Sequence, residues 1–236
     1  MKIEIKNVDY IYDEGMQDEV YALKDINLEI KDHEIIGLIG QTGSGKSTLV
    51  QLLNGLLIPS RGDVIIDGIN SKDKEKRREA RFKVGLVFQY PENQLFEETI
   101  AKDIAFGPKN MGLDQEEIDR RVRASMEAVG LSYEEYKDVS PFEISGGQQR
   151  RVAVAGIISM NPKVLVLDEL TAGLDPKGRD EIFSEILELY NNDPELTIVL
   201  VSHSMEDVAK YVDRVIVMNE GKVFSDASTY DTFTEK

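Results

Sequence analysis

Ile35-Ile36-Gly37-Leu38-Ile39-Gly40-Gln41-Thr42-Gly43-Ser44-Gly45-Lys46-Ser47 is an apolar run that breaks into a glycine-rich turn and ends in Lys-Ser. The stretch predicts a buried strand, a phosphate-binding turn of pattern GxxxxGK[ST], and then a helix, the context in which that pattern carries meaning. Its three glycines let the backbone wrap with N–H groups pointing inward. The following helix turns its positive dipole end toward the same point. Lys46 is placed to reach the β- and γ-phosphates of a nucleotide, and the Ser47 hydroxyl to ligate Mg²⁺.

Reading outward, three more apolar runs end in polar residues able to act on a phosphate. Val84-Gly85-Leu86-Val87-Phe88 ends at Gln89, Val164–Leu167 at Asp168-Glu169, and Thr197–Val201 at Ser202-His203. Near-continuous apolar runs are what parallel strands covered on both faces look like, and in open α/β sheets ligands bind beyond the carboxyl ends of such strands. Lys2–Tyr12 and Ala22–Ile30 alternate like half-buried strands, and Ser47–Leu57 reads as a helix. Residues 99–160 are mostly helical by period, with breaks expected at Gly107-Pro108 and Ser140-Pro141. Asn219-Glu220-Gly221 is a hairpin signal between Arg214–Met218 and Lys222–Phe224. The expected fold is α/β: a P-loop NTPase mixed sheet with N-terminal antiparallel strands and a helical subdomain. As a division of one domain over 1–236, residues 1–92 and 163–236 form the nucleotide-binding core, and 93–162 the helical part.

Composition narrows the classes. The 236 residues carry a net charge of −16, which argues against nucleic acid as partner, since phosphate backbones need a basic face. The basic stretch Lys72–Arg81 could touch anionic lipid or nucleic acid, but it is interleaved with acids and reads first as a solvated helix face. The absence of cysteine excludes disulfides and thiolate chemistry, and two histidines make a structural metal site improbable. No apolar stretch approaches the roughly 20 residues that span a bilayer, and the start, Met1-Lys2-Ile3-Glu4-Ile5, lacks a secretory h-region. The expectation is a cytoplasmic protein.

At the strand ends, Asp168 is placed to hold Mg²⁺ through a water, and Glu169 to orient or deprotonate the water that attacks a γ-phosphate. Taken with that whole pattern, Gln89 is expected to complete the Mg²⁺ shell, and His203 to hydrogen-bond the γ-phosphate. A second string, Ile144-Ser145-Gly146-Gly147-Gln148, offers a hydroxyl and exposed backbone N–H groups at another helix start. With it the chain resembles the ATP-binding-cassette ATPases, whose signature reads LSGGQ. The resemblance implies binding of ATP and Mg²⁺ by Gly40–Ser47 and Thr48, with Gln41, Thr42, Gly43, Ser44 and Gly45 in the loop. It implies Lys46, Gln89, Glu169 and His203 as catalytic residues, and Ser47, Gln89 and Asp168 around the metal. It also implies a head-to-tail pair, in which Ser145, Gly146, Gly147 and Gln148 close over ATP held by the partner. Thr171-Ala172-Gly173-Leu174-Asp175 matches the loop along that interface, and Tyr12, with Tyr10 beside it, the aromatic that stacks on adenine.

More narrowly, Phe88-Gln89-Tyr90-Pro91-Glu92-Asn93-Gln94-Leu95-Phe96-Glu97-Glu98-Thr99 is similar to the second ATPase of energy-coupling-factor importers. That resemblance implies a second ATPase subunit, identical or related, a transmembrane coupling protein, and a substrate-binding membrane protein. The ATPase would sit at the cytoplasmic face of the membrane and power import of a vitamin, another micronutrient or a metal ion. Glu92, Glu97 and Glu98 would accept arginines of the coupling protein. Leu170 stands where the family has proline, which implies slower hydrolysis through looser placement of Glu169. Family members often carry a further C-terminal segment, so an end at Lys236 implies pairing that leans on ATP and the membrane partner. The rival reading is an ATP-gated dimerisation module with slow hydrolysis, or a cassette of another transporter class. A GTPase is disfavoured by the lack of an Asn-Lys-x-Asp motif, and a small-molecule kinase has no use for Ser145–Gln148.

Overall fold

Alternating residues in the first thirty positions and uninterrupted aliphatics later in the chain produce two different kinds of sheet. The computed structural model describes residues 2–234. In chain order the elements are β1 (Ile3–Tyr12), β2 (Val20–Ile30), β3 (Ile35–Gly40), α1 (Lys46–Leu53), β4 (Arg61–Ile66), β5 (Ile69–Asn70), α2 (Arg77–Lys83) and β6 (Val84–Val87). There follow a 3-10 turn (Pro91–Gln94), α3 (Ile100–Asn110), α4 (Gln115–Ala128), α5 (Tyr133–Tyr136), a second 3-10 turn (Pro141–Glu143) and α6 (Gly146–Ile158). The chain continues through β7 (Val164–Asp168), α7 (Pro176–Asn192), β8 (Thr197–Val201), α8 (Met205–Tyr211), β9 (Arg214–Asn219), β10 (Lys222–Ser228) and α9 (Thr229–Thr234).

Two units divide these elements. The first comprises 1–84, 163–168 and 195–236. Its antiparallel sheet has the order β2-β1-β4-β5; Ile3, Ile5, Val8 and Ile11 of β1 are buried, the spacing widening from two to three where the register with β2 shifts. Its other sheet runs β10-β9-β3-β8-β7, with β3 parallel to β8 and β9, and β7 parallel to β8. β8 is buried at every position and β7 at all but its last, as expected of strands covered on both faces. The β9–β10 hairpin turns through Glu220 and Gly221 at φ 48° and 76°, the positive pair of a type I′ turn. Gly221 then ties the sheets together: its carbonyl accepts from Lys24 N at 2.8 Å and its N–H donates to Ser44 O at 3.0 Å. α1 stops at Leu53 rather than running to Leu57, because Asn54 ends it and Gly55 follows at φ 71°.

The second unit comprises 85–162 and 169–194 and is mainly helical. Here α3 passes through Gly107-Pro108, where a break was expected. Proline at 108 deprives the Ile104 carbonyl of its i+4 donor, and the Ser159 hydroxyl donates to that carbonyl instead, at 3.0 Å. A Cβ at Gly107 would lie 2.6 Å from the Met160 side chain, which would have to move to admit it. The expected interruption at Ser140-Pro141 is present as the second 3-10 turn.

Candidate functional site

In the first unit, parallel register brings three strand ends level. Leu38 of β3 pairs with Val201 of β8, and Val201 with Asp168 of β7. The glycine-rich turn after β3, Asp168, and Ser202-His203 after β8 therefore share one edge of the sheet. Gly40, Gly43 and Gly45 all adopt positive φ (151°, 79° and 101°), the geometry for which the pattern requires glycine. A Cβ on Gly45 would stand 2.7 Å from Ala22 O.

The turn is built to receive an anion. Its helix, α1, starts at Lys46 behind Gly45 with no side-chain cap. The Ser44 hydroxyl is 3% exposed and has no hydrogen-bond partner. Lys46 is also buried, and its Nζ curls onto the turn's own carbonyls, 2.7 Å from Gly40 O and 3.1 Å from Gln41 O. An orphaned buried hydroxyl, a buried ammonium and an uncapped helix start fit a phosphate group. The Ser47 hydroxyl and the Asp168 carboxylate provide hard oxygen donors of the kind Mg²⁺ takes.

Tyr12, at the end of β1, is 39% exposed, and its hydroxyl lies 3.2 Å from Thr48 Oγ1. Tyr10 packs edge-on against it, ring centroids 4.8 Å apart, and burial raises the Tyr10 phenol above its usual range. Of the two rings Tyr12 is therefore the more open, and it is the one tied to the phosphate-loop helix. Ser202 is buried and accepts from Ser204 N, while His203 is exposed.

In the second unit, Gln89 and Glu169, 80 positions apart in the chain, meet: Gln89 Nε2 donates to Glu169 Oε2 at 2.8 Å. Glu169 has φ 51° rather than extended geometry, and its carbonyl accepts from Ala172 N at 3.0 Å. Ser145 caps α6 in a reciprocal capping box with Gln148: Gln148 N donates to Ser145 Oγ, and Ser145 N to Gln148 Oε1. Gln148 Nε2 reaches Tyr136 Oη at 3.1 Å. Gly146 and Gly147 are exposed, with nothing within 4 Å of where a Cβ would stand. Asp175 caps α7, accepting from Gly178 N at 2.7 Å.

The sequence reading erred on Glu92, expected as a surface acceptor for a partner's arginines. Its carboxylate is forked by Arg150 of the same chain, at 3.2 and 3.0 Å. Burial pushes this carboxyl up, but Arg150 prevails and holds it below the ordinary carboxylate value. Arg150 itself went unassigned. The available signal was its spacing: on α6 it shares the buried set with Val154, four residues on, and a buried guanidinium demands a counter-charge. Glu98 is well exposed and pairs with Lys102 at 2.6 Å.

A glycine-rich phosphate turn at the edge of a parallel sheet, with an acid-ended strand level with it, defines a P-loop nucleotide-binding protein. Residues 23–172 match the ABC transporter family. The chain is 58% identical over 236 residues to the energy-coupling factor transporter ATP-binding protein EcfA2 of Clostridium perfringens, covering 100% of this chain and 82% of that one. It is 61% identical over 224 residues to EcfA2 of Clostridioides difficile, covering 94% and 77%. Among solved structures, cbiO1 of Clostridium perfringens, part of the ABC transporter complex cbiONQ, superposes with TM-score 0.86 at 38% identity, covering 99% of this chain and 90% of that one. The ATP-binding cassette MJ0796, a dimer in a post-hydrolysis state bound to ADP and Pi, gives 0.82 at 31% identity, covering 96% and 98%. The chain belongs to the ABC transporter family and, within it, to the energy-coupling factor transporter ATP-binding proteins. Among the described residues no helix is long and apolar enough to cross a membrane.

Proposed function

We propose that this chain is the ATP-hydrolysing motor subunit of an energy-coupling-factor importer, working in a head-to-tail pair with a second ATPase. The observation that carries the reading is the phosphate turn itself, with its uncapped helix start, buried Lys46 and orphaned Ser44 hydroxyl at the strand edge that holds Asp168.

Lys46 and the N–H groups of Gly40–Ser47 and Thr48 would bind the phosphates, and the Tyr12 ring would stack on adenine. Ser47 and Asp168, with Gln89, would hold Mg²⁺, which when bound offsets charge on the phosphates. Glu169 would take a proton from the water that attacks the γ-phosphorus, as the bond to the ADP oxygen breaks. Gln89, fastened to Glu169, would orient that carboxylate, and His203 would donate to the γ-phosphate. Ser145, Gly146, Gly147 and Gln148 would close on the partner's nucleotide, and Asp175 would lie along the paired face. Residues 93–162 would serve as the helical signature subdomain. A transmembrane coupling protein and a substrate-binding membrane protein would complete the importer, with the ATPases at the cytoplasmic face. A vitamin, another micronutrient or a metal ion would be the cargo.

The test is Mg-ATP hydrolysis against protein concentration, beside Glu169→Gln. The expected result is a rate rising faster than linearly, with the variant inactive and held as an ATP-bound dimer. A variant that turns over like the parent would refute the role of Glu169.

A further inference from the structure

Arg150 lies on α6, five residues after Ser145, and is 5% exposed. Its Nε and Nη2 hold Glu92, while Nη1 donates to Leu170 O at 2.9 Å and Ala172 O at 3.1 Å. One guanidinium thus joins three segments of the second unit. These are the helix that opens with Ser145–Gln148, the 3-10 turn that starts two residues after Gln89, and the loop that starts at Glu169. Each of the two loops holds a left-handed residue: Tyr90, next after Gln89, at φ 54°, and Glu169 itself at φ 51°. Such conformations in non-glycine residues persist only where the surroundings over-determine them. The Gln89–Glu169 hydrogen bond closes the circuit.

We infer that Arg150 is a positioning residue for hydrolysis, fixing the Gln89–Glu169 pair against the signature helix so that a shift of α6 shifts the base. The inference rests on the reading of Glu169 as that base. A planar guanidinium can serve a carboxylate on one edge and two carbonyls on another; an ammonium cannot hold the same three acceptors in one plane. Glu92 acts through Arg150, keeping its fork oriented.

The experiment uses the full chain with Arg150→Lys, Glu92→Ala and Glu92→Gln, and Glu169→Gln as the reference for lost chemistry. Arg150→Lys and Glu92→Ala are expected to lower kcat at least tenfold, with KM for Mg-ATP within twofold of the parent. Glu92→Gln, which still offers Arg150 an acceptor, is expected to recover to within threefold. Hydrogen exchange gives a second readout. The Ala172 and Leu174 amides are bonded to Glu169 O and Thr171 O, and they should exchange faster in both damaging variants. If Arg150→Lys fails to fold, the two Glu92 variants carry the test. Unchanged kcat and exchange in folded Glu92→Ala would overturn the inference. A parent no faster than Glu169→Gln would instead sink the hydrolytic reading, and the exchange data alone would then decide whether Arg150 holds the loop.

Discussion

Replacing Ser159 by alanine tests whether a helix can run through proline because a residue far along the chain repairs it. Ser159 is 2% exposed, and its single O–H proton is shared between two carbonyls, Ile104 O at 3.0 Å and Gly156 O at 2.8 Å. Pro108 brings no N–H to Ile104 O, so Ser159→Ala leaves a buried acceptor without that donor. An unsatisfied buried acceptor costs about 1–3 kcal/mol, which for a chain of this size lowers the melting midpoint by roughly 2–4 °C per kcal/mol. The informative assay is a double-mutant cycle in urea with Pro108→Ala. An alanine at 108 supplies the missing N–H, so the cost of Ser159→Ala should fall by about 1 kcal/mol in that background, the typical net worth of one hydrogen bond. Distant, independent sites add to within about 0.3–0.5 kcal/mol. A Ser159→Ala cost equal in the two backgrounds within that margin would refute the repair, and the passage of α3 through Pro108 would need another cause.

Gly221→Ala places a Cβ 2.7 Å from Ala22 O at φ 76° and disturbs the N–H that holds Ser44 O. It should cost about 1–3 kcal/mol in stability, read from urea denaturation, and weaken ATP binding, read by titration with a fluorescent nucleotide analogue. Tyr12→Ala should weaken ATP binding by the worth of one stacked base, about 1–3 kcal/mol, whereas Tyr12→Phe, which keeps the ring and loses only the Thr48 contact, should bind nearly as the parent does. Arg150 holds the Glu92 carboxyl below its ordinary value of 4.5. A lowered folded-state pKa contributes stability above the unfolded value and loses it as pH falls through the folded one. The stability gap between parent and Glu92→Gln should therefore be widest near neutral pH and shrink below about pH 4.5, as followed by denaturation midpoints across that range.

Much of this fold was legible because its strands obey local rules. β1 and β2 begin with alternation, β3, β7 and β8 carry near-continuous apolar runs, and the Glu220-Gly221 turn announces its hairpin. The residues at strand ends were legible for the same reason, since parallel pairing carries Asp168 level with Val201 and Leu38 whatever the rest of the chain does. What escaped depends on partners distant in sequence. Pro108 reads as a breaker until Ser159 supplies the donor, and Glu92 reads as an acceptor for a partner's arginine until Arg150, 58 residues on, reaches it. The left-handed backbone of Glu169 was not legible either, because neither glutamate nor the leucine after it favours such a conformation.

The two helix starts in the proposed function solve one electrostatic problem in opposite ways. Every helix begins with N–H groups that lack intrahelical acceptors. At α6 the chain supplies its own acceptor: Ser145 Oγ takes the Gln148 N–H, and the Gln148 side chain reaches back to Ser145 N. At α1 no side chain caps the helix, and the residue before it is Gly45, held at φ 101°. A capped start is stable before any ligand arrives, whereas an uncapped one gains stability when an anion fills it. Nucleotide should therefore protect the α1 amides from exchange strongly in the isolated chain, while α6 changes little until a second ATPase brings phosphate to it. Equal protection of both helices in dilute monomer would contradict that division of labour. It would mean that the signature helix responds to nucleotide within a single chain.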